Sequence, residues 1–241
     1  EARLTTSTLP GSIGLPNSER SRMRYRSGAL AMLAACLCTL FTTASPAHAD
    51  VAGTALTPDH YGVVAGSADA PVQLEFFCDP QCPDCAQFES ASGAAIGDHL
   101  GAGHLAVTYR WLTFLDAKRD NDTSARVGNA LMLAADPATS ATAYQAFVSD
   151  LYRNRDPDGD GPGADSIASM ARESGVPDQV ADRMAAGQSA VDSTAMNAFN
   201  RARLVQVNPE RPGTPTVYDL RANKLVDTDD VSWLDQLMQP G

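Results

Sequence analysis

The dithiol Cys82–Pro83–Asp84–Cys85 follows almost directly on the apolar run Val72–Phe77, and this junction constrains the chain more than any other stretch. The run is short, aromatic-rich and bounded by Pro71 and the Asp79–Pro80 turn signal, which predicts a buried strand. Cys85 and Phe88 then open an amphipathic segment expected to be helical to about Leu100, with Gly101–Ala102–Gly103 ending it. A thiol at a helix N-terminus meets unpaired backbone N–H groups and the positive end of the helix dipole, which favour its thiolate. Pro83 suits the first helical turn, where a missing N–H costs nothing.

A pair two residues apart closes too short a loop to gain much unfolded-state entropy, so its value is chemical. A structural zinc would need four ligands, and His60, His99 and His104 offer no paired spacing, so no metal and no cofactor is expected. Cys78 completes a Cys-x-x-x-Cys-x-x-Cys spacing like that of radical iron–sulfur sites, but Asp84 stands where an aromatic is usual and no barrel repeat is present. Cys78 is read as a buried strand-end thiol, with a minority reading as a third redox partner of Cys82. Asp156-x-Asp158-x-Asp160–Gly161 opens like a calcium loop, but its twelfth position is Ile167, so a surface turn is expected.

Before this region, Met23 opens a basic patch with Arg24 and Arg26, an apolar run of 13 residues spans Ala29–Phe41, and Ala47–His48–Ala49 precedes Asp50. This is the layout of a secretory signal peptide, too short to span a membrane permanently. Residues 1–49 are assigned to it, with translation starting at Met23 and cleavage after Ala49. Lipidation at Cys36 is the weaker reading, because the apolar run continues past it. Cleavage would remove Cys36 and Cys38 and leave 13 basic and 27 acidic residues, a net charge of −14. The full chain of 241 residues already carries −11, which argues against a nucleic-acid partner.

Downstream, His104–Leu115 reads as a second strand, so strand, helix and strand form a right-handed parallel crossover. Ala-rich helices are expected over Ser124–Ala135, Ala141–Tyr152, Asp165–Ser174, Pro177–Ala186 and Ser189–Leu204. Gly213–Tyr218 resumes the core, followed by a turn at Arg221–Asn223, a strand at Lys224–Val226 and a last helix, Asp230–Met238, capped by Asp229. The core is thus assigned to residues 50–120 and 205–241, with a helical insertion at 121–204.

These residues carry a resemblance. Ala70–Pro71–Val72, Leu74–Glu75–Phe76–Phe77, Cys82–Pro83–Asp84–Cys85 with Gln87–Phe88–Glu89, and Gly213–Thr214–Pro215–Thr216 resemble exported DsbA-like thiol:disulfide oxidoreductases of the thioredoxin superfamily, of actinobacterial type. The resemblance implies an α/β thioredoxin fold with an inserted α-helical domain, and a cis Thr214–Pro215 bond facing Cys82. It implies extracytoplasmic polypeptide substrates held at Thr214 and Pro215, and a membrane redox partner as a candidate; the chain is expected to be a monomer. Thiol chemistry then makes Cys82 the exchanging sulfur and Cys85 the resolving one. Glu75, a carboxylate in an apolar strand, is a candidate proton acceptor for Cys85, the other reading being a solvated strand face. Asp84 should disfavour the Cys82 thiolate and make the pair a weaker oxidant. A chaperone-like binding module of the same fold is the alternative function.

Overall fold

The structure, a computed structural model, describes residues 53–157 and 159–239. The signal region, with Met23, Cys36, Cys38 and Ala49, lies outside them, as does Asp158. In chain order the elements are β1 Thr54–Leu56, β2 Val63–Ala65, β3 Val72–Cys78, α1 Pro83–Gly101, β4 Leu105–Trp111, α2 Phe114–Arg119, α3 Thr123–Leu133, α4 Ala141–Arg153, α5 Ala164–Glu173, α6 Asp178–Ala185, α7 Ser193–Val207, β5 Thr216–Asp219, β6 Lys224–Leu225 and α8 Trp233–Met238. One sheet runs β1-β2-β4-β3-β5-β6. The β3 and β4 strands are parallel, as the crossover requires, and every other pairing is antiparallel.

The strand β3 sits centrally and is buried on both faces. Successive side chains of a strand point to opposite faces. Leu74, Phe76 and Cys78 accordingly join the larger core with Phe88 and Ile96 of α1, Tyr144 and Phe147 of α4, and Trp233 of α8. The ring of Phe76 meets Phe88 edge-on at 5.6 Å, and Trp233 donates to Ser92 Oγ at 3.0 Å, so α8 is tied to α1. Phe77 points the other way, into a second cluster with Leu112, Leu204, Val207 and Tyr218 under α7.

Several boundaries differ from the sequence reading. The second strand ends at Trp111, and Phe114 and Leu115 belong to a short helix. The apolar run continues past the strand because Leu112 and Phe114 pack beneath α7. Helix α7 starts at Ser193, where Asp192 Oδ1 accepts from the N–H of Thr194 and Ala195. The last helix starts at Trp233, and Asp230, not Asp229, accepts from the Ser232 N–H at 2.9 Å. Strand β1 arises in what reads as a polar lead-in. Its Thr54 hydroxyl donates to the Ala134 carbonyl at 2.8 Å, so tertiary pairing, not local apolarity, makes it a strand. The turn into β3 requires glycine: Gly66 has φ +102°, and a Cβ there would lie 2.6 Å from the Leu105 carbonyl oxygen. Helix α1 ends with Gly103 at φ +72°, as glycine capping predicts, the His104 N–H donating to the His99 carbonyl at 3.0 Å.

Candidate active site

Cys82 is the N-cap of α1, with Pro83 in the first turn, so the helix places its free N–H groups at this sulfur. The Cys85 N–H donates to Cys82 Sγ at 3.4 Å. From 132 positions along the chain, the loop before β5 brings Thr214 to the same sulfur, and the Cys82 thiol donates to the Thr214 carbonyl at 3.4 Å. The Thr214–Pro215 bond is cis. The fold therefore brings together four residues that the sequence reading nominated: Cys82, Cys85, Thr214 and Pro215.

Cys82 is more covered than a helix tip suggests, only 5% exposed, and Cys85 is fully buried one turn deeper. Both are free thiols, as is the buried Cys78. Cys78, Cys82 and Cys85 all belong to the larger buried core. Burial pushes the Cys85 thiol well up, and the Cys78 thiol adds to the rise. The Cys82 thiol is also pushed up, first by its hydrogen bond with Cys85 and then by burial. The Cys85 N–H opposes that rise without outweighing it. Asp84 is exposed, and the rise traces to Cys85 and burial.

Glu75 requires a correction. It is buried, which removes the solvated reading, but it lies on the α7 face of β3 while Cys85 lies on the α1 side. Its carboxylate accepts from Arg110 Nε at 2.8 Å and pairs with Arg203 Nη2 at 3.0 Å. Arg110 in turn donates to Asp59 at 2.8 Å. Glu75 is thus the centre of a buried ion-pair network, and the alternation of the strand aims it away from the dithiol.

Two buried carboxylates that the sequence reading passed over stand closer. Glu89, one turn after Cys85, accepts at Oε1 from Gln145 and Ser149, and burial raises its pKa to about 7. Asp79 is fully buried at the end of β3, and burial raises its pKa to about 6. Its Oδ1 accepts from the Gln81 N–H at 2.9 Å and from Ser124 Oγ at 2.5 Å, and its Oδ2 from the Leu115 N–H at 3.1 Å. The signal was available: an aspartate ending an apolar strand two residues before another N–H is placed to form an Asx turn.

Beside the dithiol runs a groove of about 740 Å³, lined among others by Asp84, Phe88, Thr214, Pro215, Val217 and Val226. Val231 stands on its rim, 87% exposed. At the suspected calcium loop, the Asp160 and Pro162 carbonyls accept from Arg126, so a guanidinium of the chain itself occupies that side. No helix among the described residues is long and apolar enough to cross a membrane.

Comparison with known proteins gives a consistent picture. The family model described as Thioredoxin matches residues 59–221. The fold is similar to that of MdbA, a thiol-disulfide oxidoreductase from Corynebacterium diphtheriae, at TM-score 0.62 and 21% identity, over 80% of this chain and 96% of that one. It is similar to DsbA from Mycobacterium tuberculosis at TM-score 0.52 and 20% identity, over 78% and 98% of the two chains. In sequence, the chain is 29% identical over 182 residues to serine/threonine-protein kinase PknE of Mycobacterium tuberculosis, across 73% of this chain and 31% of the kinase. The chain spans about a third of the length of the curated relatives it matches, and the kinase title describes those whole proteins.

Proposed function

The chain belongs to the thioredoxin family, and on that premise we propose that it is an exported thiol:disulfide oxidoreductase acting on secreted or envelope polypeptides through Cys82 and Cys85. One observation carries this reading: the Cys82 sulfur sits at a helix N-terminus, 3.4 Å from the Thr214 carbonyl, with the Cys85 N–H donating to it at 3.4 Å. Written in the reducing direction, Cys82 gives up its proton and attacks a substrate disulfide, one substrate sulfur leaving as a thiol. Cys85 then attacks Cys82 Sγ, the mixed disulfide breaks, and the second substrate sulfur leaves with the proton that Cys85 loses. The reverse sequence oxidises a substrate dithiol. The direction depends on the partner's potential as much as on this pair's own.

The groove along Thr214 and Pro215 is the expected seat of an extended substrate segment. Proline offers no backbone N–H that could compete for the sulfur next to it. Export rests on the basic, apolar and small-residue layout of residues 23–49, and a membrane redox partner would restore the oxidised pair. The reading takes the protein as a monomer that needs neither cofactor nor nucleic acid. Insulin reduction and dithiol oxidation by the wild type, Cys82→Ser and Cys85→Ser test it. Both activities should disappear with Cys82→Ser. Undiminished activity in that variant would refute the assignment, and N-terminal sequencing of the exported protein tests cleavage after Ala49.

A further inference from the structure

The groove beside the dithiol combines apolar lining with uncompensated charge. Phe88 of α1 and Val217 of β5 are buried in it, while Leu225 of β6 and Val231 stay exposed along it. Aliphatic side chains left in water near a reactive sulfur suit a segment that carries apolar residues next to its own cysteine. The charged residues lining the same groove are Asp84, Glu210, Arg211 and Asp229, all of them exposed. Three carboxylates against one guanidinium give the lining a net charge of −2.

Elsewhere the chain pairs its acids with its own cations. Arg183 meets Asp136 at 2.9 Å, Arg172 meets Asp182 at 2.5 Å, and Glu75 sits between Arg110 and Arg203. At the groove, no ion pair among the described residues ties up Asp84, Glu210 or Asp229. These three come from separate segments: α1, the loop after α7 and the stretch before α8. Asp227 adds a fourth carboxylate close by, its Oδ1 accepting from the Asp229 N–H at 3.0 Å. Like charges gathered along a cleft sum their potentials inside it, because low-dielectric walls focus the field.

We propose that the groove selects cationic cysteine-bearing segments: apolar residues beside the cysteine meet Phe88, Val217 and Val231, and lysine or arginine farther along meets Glu210 and Asp229. The inference deepens the thiol-exchange reading and rests on it. In the step concerned, Cys82 releases its proton to solvent and attacks one sulfur of the segment's disulfide. A Cys82–segment bond forms, the old S–S bond breaks, and the departing sulfur takes up a proton. Glu210 and Asp229 have no part in that exchange. They act on encounter and seating, raising the rate for cationic segments and lowering it for acidic ones.

The test uses single-cysteine peptides oxidised to symmetric dimers, identical except for lysine or glutamate at the positions flanking an apolar-cysteine centre. Adduct formation on Cys82 is timed in a Cys85→Ser background, and each rate is divided by that of the same dimer with dithiothreitol, which removes differences in peptide reactivity. The lysine dimer should react about tenfold faster than the glutamate dimer at low salt, and the ratio should fall to about threefold or less at high salt. Glu210→Gln with Asp229→Asn should lower the ratio as far at low salt. Asp165→Asn with Glu173→Gln, two exposed acids of α5 outside the groove, removes the same charge and should keep the ratio within about twofold of its starting value. A ratio near one, a ratio untouched by the groove pair, or equal loss in both pairs overturns the inference. No adduct on Cys82 with either dimer would instead remove the thiol-exchange reading, and the inference with it.

Discussion

Replacing Glu75 by glutamine separates structure from redox chemistry. Glu75 is 2% exposed and pairs with Arg110 at 2.8 Å and Arg203 at 3.0 Å. Removing one partner of a buried ion pair costs about 3–5 kcal/mol, because a buried charge is left behind. Here the loss is partly offset: Arg110 keeps Asp59, and the Arg203 side chain is 32% exposed. The lower end, about 3 kcal/mol, is expected. With a urea slope of about 2 kcal/mol per M, the unfolding midpoint falls by about 1.5 M. Because Glu75 faces α7 while Cys85 faces α1, the oxidised and reduced forms should lose the same amount. The reduction potential then stays put, since about 30 mV corresponds to 1.4 kcal/mol of difference between the two forms. Urea melts of both redox forms and a glutathione equilibration give all three numbers. Loss of stability in one form only, with a potential shift of about 30 mV or more, would refute the placement of Glu75 outside the redox site.

Other perturbations give sharp expectations. Glu89 has its pKa raised from 4.5 to about 7, so the fold favours its neutral form; its contribution is present below 4.5 and lost as pH rises through 7. Glu89→Gln should therefore gain up to about 3 kcal/mol on the wild type at pH 8 and almost nothing at pH 4, measured by urea melts at both. For Asp59, burial works upward but the Arg110 hydrogen bond with those of Thr57 and Tyr61 carries the pKa from 3.8 down to about 2. Its stabilisation is present above 3.8 and lost as pH falls through 2; because solvent screens this partly exposed carboxylate, Asp59→Asn should cost about 1 kcal/mol at pH 7 and little at pH 2. Asp84→His should make the pair more oxidising, by less than about 30 mV because position 84 is exposed and screened; an unchanged or more reducing potential contradicts the like-charge argument.

What the sequence made legible follows from physics. The central strand and dithiol helix could be read because a short apolar run with hard boundaries and a proline in a first helical turn are local signals. The approach of Thr214 to Cys82 was not local, spanning 132 positions, and came only through resemblance. The side of the sheet taken by Glu75 was hidden because β3 is buried on both faces, leaving no apolar–polar alternation to assign its direction. Thr54–Leu56 was hidden for the opposite reason: its pairing with Val63–Ala65 makes it a strand despite a weak local pattern. Asp79 read as a turn residue, and its buried web of donors depends on α2, α3 and α4 arriving from later in the chain.

The central claim is that Cys82 is the sulfur that exchanges with substrate, and it can be trapped. In a Cys85→Ser background, incubation with an unfolded disulfide-bearing polypeptide followed by acid quench and mass spectrometry should show a covalent adduct on Cys82 alone. Adducts on Cys78, or none on Cys82, would contradict the account.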